Sequence, residues 1–274
     1  MTKSISIHPT AVIDPTAELG TGVQIGPYAV IGPHCHIGDG TQLGPHAVIM
    51  EYTTLGKRCQ VFSGAVIGAI PQDLKYRGEI THVVIGNDNV IREYVTINRA
   101  TGEGEVTKIG DRNLFMAYVH IAHDCLIGDG CVLANSVNLA GHVTIEDHAF
   151  IGGITGVHQF VRIGSYSMIG GMSRISQDVL PFMLTVGVPP RVYGVNMLGL
   201  KRRRFSPGAR NALKQAYKLI FRSGLSLTQA EEEIKARVAP CHEIDKLLSF
   251  IHLSERGICG LSEDYTDALA GAEE

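Results

Sequence analysis

The chain has 274 residues, a formal net charge of −3, 32 Gly and no Trp; hydrophobic residues make up 45% and aromatics only 6%. So small a charge gives no strong field to gather nucleic acid or an anionic membrane surface, and no apolar stretch is long enough to span a bilayer. The apolar content suffices for a sizeable core in one large domain or two smaller ones.

The first residues, Met1 to Ile5, run into polar residues and Pro9 rather than a signal-peptide core, so a cytoplasmic protein is expected. From Ile7 onward a period of six organises the chain. Ile7, Ile13, Leu19, Ile25 and Ile31 open a series of large apolar residues that runs to Ile163, Ile169 and Ile175; Asp73, Glu79 and Glu103 interrupt it. Four residues after each anchor stands a smaller one, as at Ala11, Ala17, Val23, Ala29, Cys35 and Thr41. Glycine often follows the anchor, as at Gly20, Gly26, Gly32 and Gly38, and is read as the residue that turns a tight corner. Neither the helix nor the strand period explains this pattern, whereas a parallel β-helix of hexapeptide repeats does. Three hexads then close a triangular coil of about 18 residues, and residues one coil apart stack roughly 4.8 Å from each other. Each hexad sends one large and one small side chain inward. Cys35, Cys59, Cys125 and Cys131 fall in the small inward position and are read as core; no CxxC pair occurs among the six cysteines.

Residues 69–82 and 98–108 break the pattern and are read as loops, the places where a solenoid usually carries function. The repeat ends near Pro181, and Pro189–Pro190 mark a connection. The expected division is a β-helix over 1–190 and a helical C-terminal domain over 191–274, since a solenoid must cap its open ends. A helix starts after Ser206–Pro207, carries Leu213, Ala216, Tyr217 and Ile220 on one face, and stops by Gly224. Thr228 with Glu231 reads as a capping box before Ile234 and Val238. A third helix carries Ile244, Leu247, Leu248 and Ile251 and ends at Gly257, and the acidic tail from Ser262 is expected to fray.

The nucleophile-elbow, zincin, dinucleotide and Walker patterns are absent. Histidines near the middle coils stand out: His120 and His123 with Asp124, then His142 and His158–Gln159. Stacking by one coil puts Gly141 directly above His123 and His142 beside Asp124. An outward imidazole next to a bare glycine N–H suits acyl transfer, the ring as general base and the N–H as oxyanion donor. Isolated outward histidines (His8, His34, His36, His46) are read as solvated. Asp73 and Lys75 are either solvated loop charges or site residues, and Lys201–Arg204 either an exposed basic helix start or a grip for phosphates or an acidic partner.

At this point the chain resembles a known family, the bacterial UDP-N-acetylglucosamine O-acyltransferases that begin lipid A synthesis. The resemblance rests on Gln72-Asp73-Leu74-Lys75-Tyr76, His120-Ile121-Ala122-His123-Asp124-Cys125, Leu139-Ala140-Gly141-His142-Val143, Val157-His158-Gln159-Phe160, and Gly194-Val195-Asn196 leading to Gly199-Leu200-Lys201-Arg202-Arg203, and runs from about residue 5 to 258. It implies a left-handed parallel β-helix with a helical C-terminal domain, a homotrimer with clefts between subunits, and transfer of an (R)-3-hydroxyacyl group from acyl carrier protein to the sugar 3-hydroxyl of UDP-GlcNAc. No cofactor or metal is implied, because the acyl group arrives on the phosphopantetheine of its carrier. By the same resemblance His123 is the general base, Asp124 orients it and Gly141 is the oxyanion donor. Gln72, Asp73, Lys75, His120, His142, His158 and Gln159 contact the substrate. Asn196, Arg202 and Arg203 contact nucleotide or phosphopantetheine, and Gly171 helps set acyl length. The chain departs from the family at Asn98 and Pro189, where histidine is frequent, and at Leu198, where an acid is frequent. Those departures leave a 3-hydroxyl or 3-amino acceptor open. The rival readings are a γ-type zinc carbonic anhydrase, which needs three histidine ligands, a structural solenoid, and a sister N-acyltransferase. The last carries an N-terminal uridine-binding domain for which the start of the repeat at Ile7 leaves no room.

Overall fold

The computed structural model describes residues 4–261, so the tail from Ser262 lies outside the described residues. Short strands recur at the period of six from Ser6–Ile7 to Arg174–Ile175 and, with Met183–Val186 and Arg191–Val195 added to the first, form three sheets of eleven, nine and eight strands, the faces of a triangular prism. Strands pair in parallel with the next coil in register: Ile25 opposite Leu43, Ile31 opposite Ile49, Ile37 opposite Leu55. Among the described residues only the closing pair of the first sheet, Met183–Val186 with Arg191–Val195, is antiparallel.

The anchors point inward, and from the second coil on they are buried, as are the small residues four positions later; Ala29, Ala47 and Ala65 have no exposed surface. Each large aliphatic removed from water contributes roughly 1.5–3 kcal/mol. The four cysteines assigned to the core are there, and they also satisfy backbone that the prism buries. Cys35 Sγ donates to the Met50 carbonyl at 2.9 Å, Cys125 Sγ to Ala140 at 3.3 Å and Cys131 Sγ to Glu146 at 3.2 Å.

The corners are built differently from the sequence expectation. Gly68 apart, positive φ falls not on the glycine after the anchor but three residues after the anchor, mostly on non-glycine residues: Tyr28, His34, Tyr52, Tyr94, Asp124 and His142 lie between 56° and 60°. Each such residue costs about 1–2 kcal/mol of local strain, which the ladders and stacked side chains on either side offset. The glycine after the anchor serves close approach instead. A Cβ on Gly26 would sit 3.0 Å from the Leu43 carbonyl oxygen of the next coil, and one on Gly110 would collide with the Asp129 carboxylate.

Both interruptions leave the prism at one corner, between the second and third sheets. The first runs from strand Val66–Ala69 to strand His82–Ile85, the second from Thr96–Asn98 to Val106–Ile109. Each occupies whole hexads, so the anchors resume in phase: Ile67 pairs with Ile97, Ile97 with Ile121, and Ile109 with Ile127. The next coil places His123 and Asp124 at that same corner.

A second apolar cluster starts at Leu180 and joins Phe182, Met183 and Val195 to four helices. These are α1 (Met197–Arg202), α2 (Pro207–Phe221), α3 (Leu227–Arg237) and α4 (His242–His252). Ser206 caps α2 as read from sequence, its side chain accepting from Ala209 N–H. The capping box of α3, however, is Ser226 with Gln229, two residues before the expected pair. Helix α4 ends at His252, short of Gly257; the following segment returns to the prism, where Cys259 N–H donates to the Asp178 carbonyl at 2.9 Å and Cys259 joins the solenoid core. The hairpin over Met183–Val195 and helix α1 were not foreseen.

Candidate active site

Two stacked turns of one corner make the centre of the site. His123 is two residues past its anchor Ile121, and Asp124 follows it in the left-handed conformation. That backbone turns Asp124 back toward its neighbour, so Asp124 Oδ2 lies 2.7 Å from His123 Nδ1. The Nδ1 side of the ring is thereby engaged, and Nε2 is left for chemistry. Gly141 lies above the ring as the stacking arithmetic required: a Cβ there would fall 2.5 Å from His123 Cε1. Its N–H donates to no acceptor among the described residues, while His142 N–H next to it donates to the His123 carbonyl at 3.0 Å. His142 Nε2 is 3.6 Å from Asp124 Oδ2, and its ring meets His123 edge-on and stacks on Phe160, one coil further, at 4.6 Å.

The two loops complete the surroundings. Loop 69–82 brings Asp73 Oδ2 to 4.0 Å from His123 Nε2. Loop 98–108 supplies Thr101, whose N–H and hydroxyl both donate to the Asp124 carboxylate, the hydroxyl at 2.8 Å. Asp124 N–H in turn donates to Thr107 Oγ1 at 2.8 Å. Asp124 thus answers to three partners and holds a fixed orientation. His120 lies on the adjoining sheet face, its Nδ1 2.7 Å from Thr96 Oγ1; burial first, and the nearby His123 second, hold its imidazole below the ordinary value.

The structure therefore brings together His120, His123, Asp124, Gly141, His142 and Asp73. Gln159 continues the column above Gly141, and His158 precedes it, its Nδ1 3.2 Å from the Gln159 carbonyl oxygen. Gln72 and Lys75 are exposed on loop 69–82. The other sequence-derived residues lie elsewhere in the chain. Gly171 stands at the corner between the first and second sheets. Asn196, Arg202 and Arg203 line a cleft of about 760 Å³ at the third corner, with His148 and Tyr166. There Asn196 is already committed, its amide donating to the Tyr166 carbonyl at 2.9 Å and its oxygen capping α1 through Gly199 N–H. Arg203 lies over the Tyr166 ring. Of the departures, Asn98 is buried and donates to the Ile70 carbonyl at 2.9 Å, Pro189 follows a cis peptide bond, and Leu198 lines the cleft. Sequence reasoning gave no role to Thr96, Thr101, Thr107, Arg99 or Phe160. Only Phe160 carried a signal, since it repeats the corner position of Asp124 and His142.

Comparison with known proteins fits this geometry. The family model described as bacterial transferase hexapeptide (six repeats) matches residues 107–141, and the GMPPB C-terminal domain model matches residues 7–102. These coils and their histidine corner define a transferase of the hexapeptide-repeat class. Residues 178–259 match the model of domain 2 of Udp N-acetylglucosamine O-acyltransferase. An acyl-[acyl-carrier-protein]–UDP-N-acetylglucosamine O-acyltransferase of Alkalilimnicola ehrlichii is 54% identical over 253 residues, 92% of this chain and 98% of that one. A protein of the same name from Synechocystis sp. is 58% identical over 175 residues, so the match spans only 63% of that relative's length. The solved structure of LpxA from Acinetobacter baumannii superposes with a TM-score of 0.89 at 46% identity, covering 92% of this chain and 98% of that one. The chain belongs to the UDP-N-acetylglucosamine O-acyltransferase family, and its fold is a left-handed parallel β-helix followed by a helical C-terminal region.

Proposed function

We propose that the protein transfers an (R)-3-hydroxyacyl chain from acyl carrier protein to the 3-hydroxyl of UDP-GlcNAc, with His123 as general base and no covalent acyl-enzyme. The observation that carries this reading is the single corner at which Asp124 holds His123 Nδ1 while Gly141, its N–H unspent, lies against the ring. Nε2 takes the proton of the sugar hydroxyl as its oxygen attacks the thioester carbonyl. The tetrahedral oxyanion is received by Gly141 N–H, and the C–S bond breaks to expel the phosphopantetheine thiolate, which takes the proton back from Nε2. The nearest thiol cannot compete as nucleophile: Cys125 points into the prism, and burial pushes it up to about 12.

The remaining assignments support an assembly of three copies. His123, Gly171 and the Asn196–Arg203 cleft occupy three different corners of one prism, so a substrate that touches all three must lie between neighbouring subunits. In that reading Asp73, Lys75, His120, His142 and Gln159 meet the sugar nucleotide. Arg202 and Arg203 meet phosphates or the acidic carrier, and Gly171 leaves room for the acyl chain. No helix among the described residues is long and apolar enough to cross a membrane. The decisive assay gives purified protein a ladder of acyl carrier protein thioesters and both UDP-GlcNAc and its 3-amino analogue. Failure to acylate either acceptor with any chain length would sink the reading.

One observation favours a metal-dependent second reading: ligand atoms of His123, Asp124 and His142 lie within 4.8 Å of one another. The set offers two imidazoles rather than three, and Asp124 is already bonded to His123. Tightly bound zinc lost together with activity would favour this alternative.

A further inference from the structure

We infer that Arg99 is a positioning residue that clasps the loop over the catalytic corner, and so sets the affinity for the acceptor rather than the rate of the chemical step. The inference deepens the proposed function and rests on it. Arg99 follows Asn98 at the mouth of the second loop, and its side chain is only 6% exposed. From there the guanidinium reaches two ways. Nη1 donates to Glu51 Oε1 at 2.8 Å, on the solenoid, and Nη2 donates to the Tyr76 hydroxyl at 3.1 Å, inside loop 69–82. The Tyr76 hydroxyl passes the contact on, donating to the Glu79 carbonyl at 2.8 Å. The charge also lies 5.9 Å from the ring centroids of Tyr52 and Tyr76. A buried cation is costly unless paired, so this one is fixed by Glu51, and the loop is fixed by it.

The loop is held at a second point. Arg99 N–H donates to the Ala69 carbonyl at 2.9 Å, and the Asn98 amide donates to Ile70. Between these stem bonds and the Tyr76 clasp sits Asp73, whose own turn is closed by Tyr76 N–H on its carbonyl and Lys75 N–H on its carboxylate. Asp73 reaches His123 Nε2 only at 4.0 Å, through no covalent neighbour, so its distance from the base is a property of the loop's anchorage. Two residues further on, Thr101 holds Asp124. Segment 98–101 therefore braces both carboxylates that face His123. Only a planar fork spans Glu51 and Tyr76 together; an ammonium is a point donor and reaches one of them.

The test compares Arg99→Lys and Tyr76→Phe with the parent protein, measuring kcat and KM for each substrate and amide hydrogen exchange over residues 70–80. Losing a charge-assisted hydrogen bond predicts a rise of about tenfold in KM for UDP-GlcNAc with Arg99→Lys, and a few-fold rise with Tyr76→Phe. The KM for acyl carrier protein thioester stays within about twofold, since the clasp holds only the acceptor side. Exchange over 70–80 accelerates in both variants while the strands of adjoining coils keep their protection. Unchanged exchange and unchanged acceptor KM in both variants overturn the inference. So does an equal loss on both substrates accompanied by a lower melting temperature, which marks a role in folding alone. A parent protein that does not acylate UDP-GlcNAc would instead overturn the functional reading, and hydrogen exchange would still decide whether Arg99 holds the loop.

Discussion

Asp124 Oδ2 sits 2.7 Å from Nδ1 of His123, the residue immediately before it, because a left-handed backbone at Asp124 folds the carboxylate back along the chain. His123→Ala removes the proposed base and is expected to lower turnover by about 10²–10⁴-fold at unchanged melting temperature. Asp124→Asn is the sharper probe. Asparagine tolerates the left-handed corner, so the fold survives, while the charge and the tautomer control are lost. Turnover is expected to fall by about 10²-fold or more at unchanged melting temperature. Near-parent kcat in either variant refutes the assignment.

Gly141→Ala tests the column above the ring. Gly141 is not among the glycines with positive φ, so alanine brings no backbone strain there. Its Cβ would nevertheless come within 2.6 Å of His123 Nε2, and the ring must move. A displacement of that order is expected to lower kcat by about 10²-fold, with the melting temperature little changed. Steady-state kinetics beside a thermal melt separate this outcome from a folding defect.

The buried His120 imidazole links stability to acid. Its value in the fold is depressed below the ordinary 6.5, chiefly by burial, so the unfolded chain binds the proton first as pH falls. Stability contributed by neutral His120 is full above that ordinary value and is lost progressively as pH drops through it toward the depressed one. Melting temperature against pH is expected to decline on the acid side, and His120→Gln to flatten that decline. An equally steep curve in the variant would remove His120 as the cause.

Thiol chemistry offers a check on the prism itself. Burial pushes Cys125, Cys131 and Cys259 up to about 12. An aromatic disulfide reagent is therefore expected to label the half-buried Cys241 first and to reach these three only as the protein unfolds. Rapid labelling of Cys125 in the native protein would contradict the inward orientation of its coil.

The solenoid was legible because its period is rigid: once Ile121 is an anchor, the partner of His123 one coil on can only be Gly141. What the period does not govern was not legible. The corner conformation was assigned to the wrong residue, since glycine signals both positive φ and close approach and only the three-dimensional neighbour tells which. Ser226-x-x-Gln229 and Thr228-x-x-Glu231 both fit a capping box. The earlier one is used, and Ala230 and Ile234 are fully buried in the resulting helix. Helix α1 has six residues, too few for a face to show. Thr101 and Arg99 escaped notice for another reason: they act across insertions whose path no repeat dictates.

The return of both excursions in phase separates what the protein must keep from what it is free to vary. The prism above and below stacks as though nothing had been inserted, so the histidine corner belongs to the scaffold and the cover over it does not. Such a cover can be lengthened, shortened or exchanged by whole hexads without changing the register of the stacked anchors. Selectivity toward a new acceptor is then a matter of editing one edge of the molecule, with Thr101 kept on the Asp124 carboxylate, while His123 stays where the coil puts it.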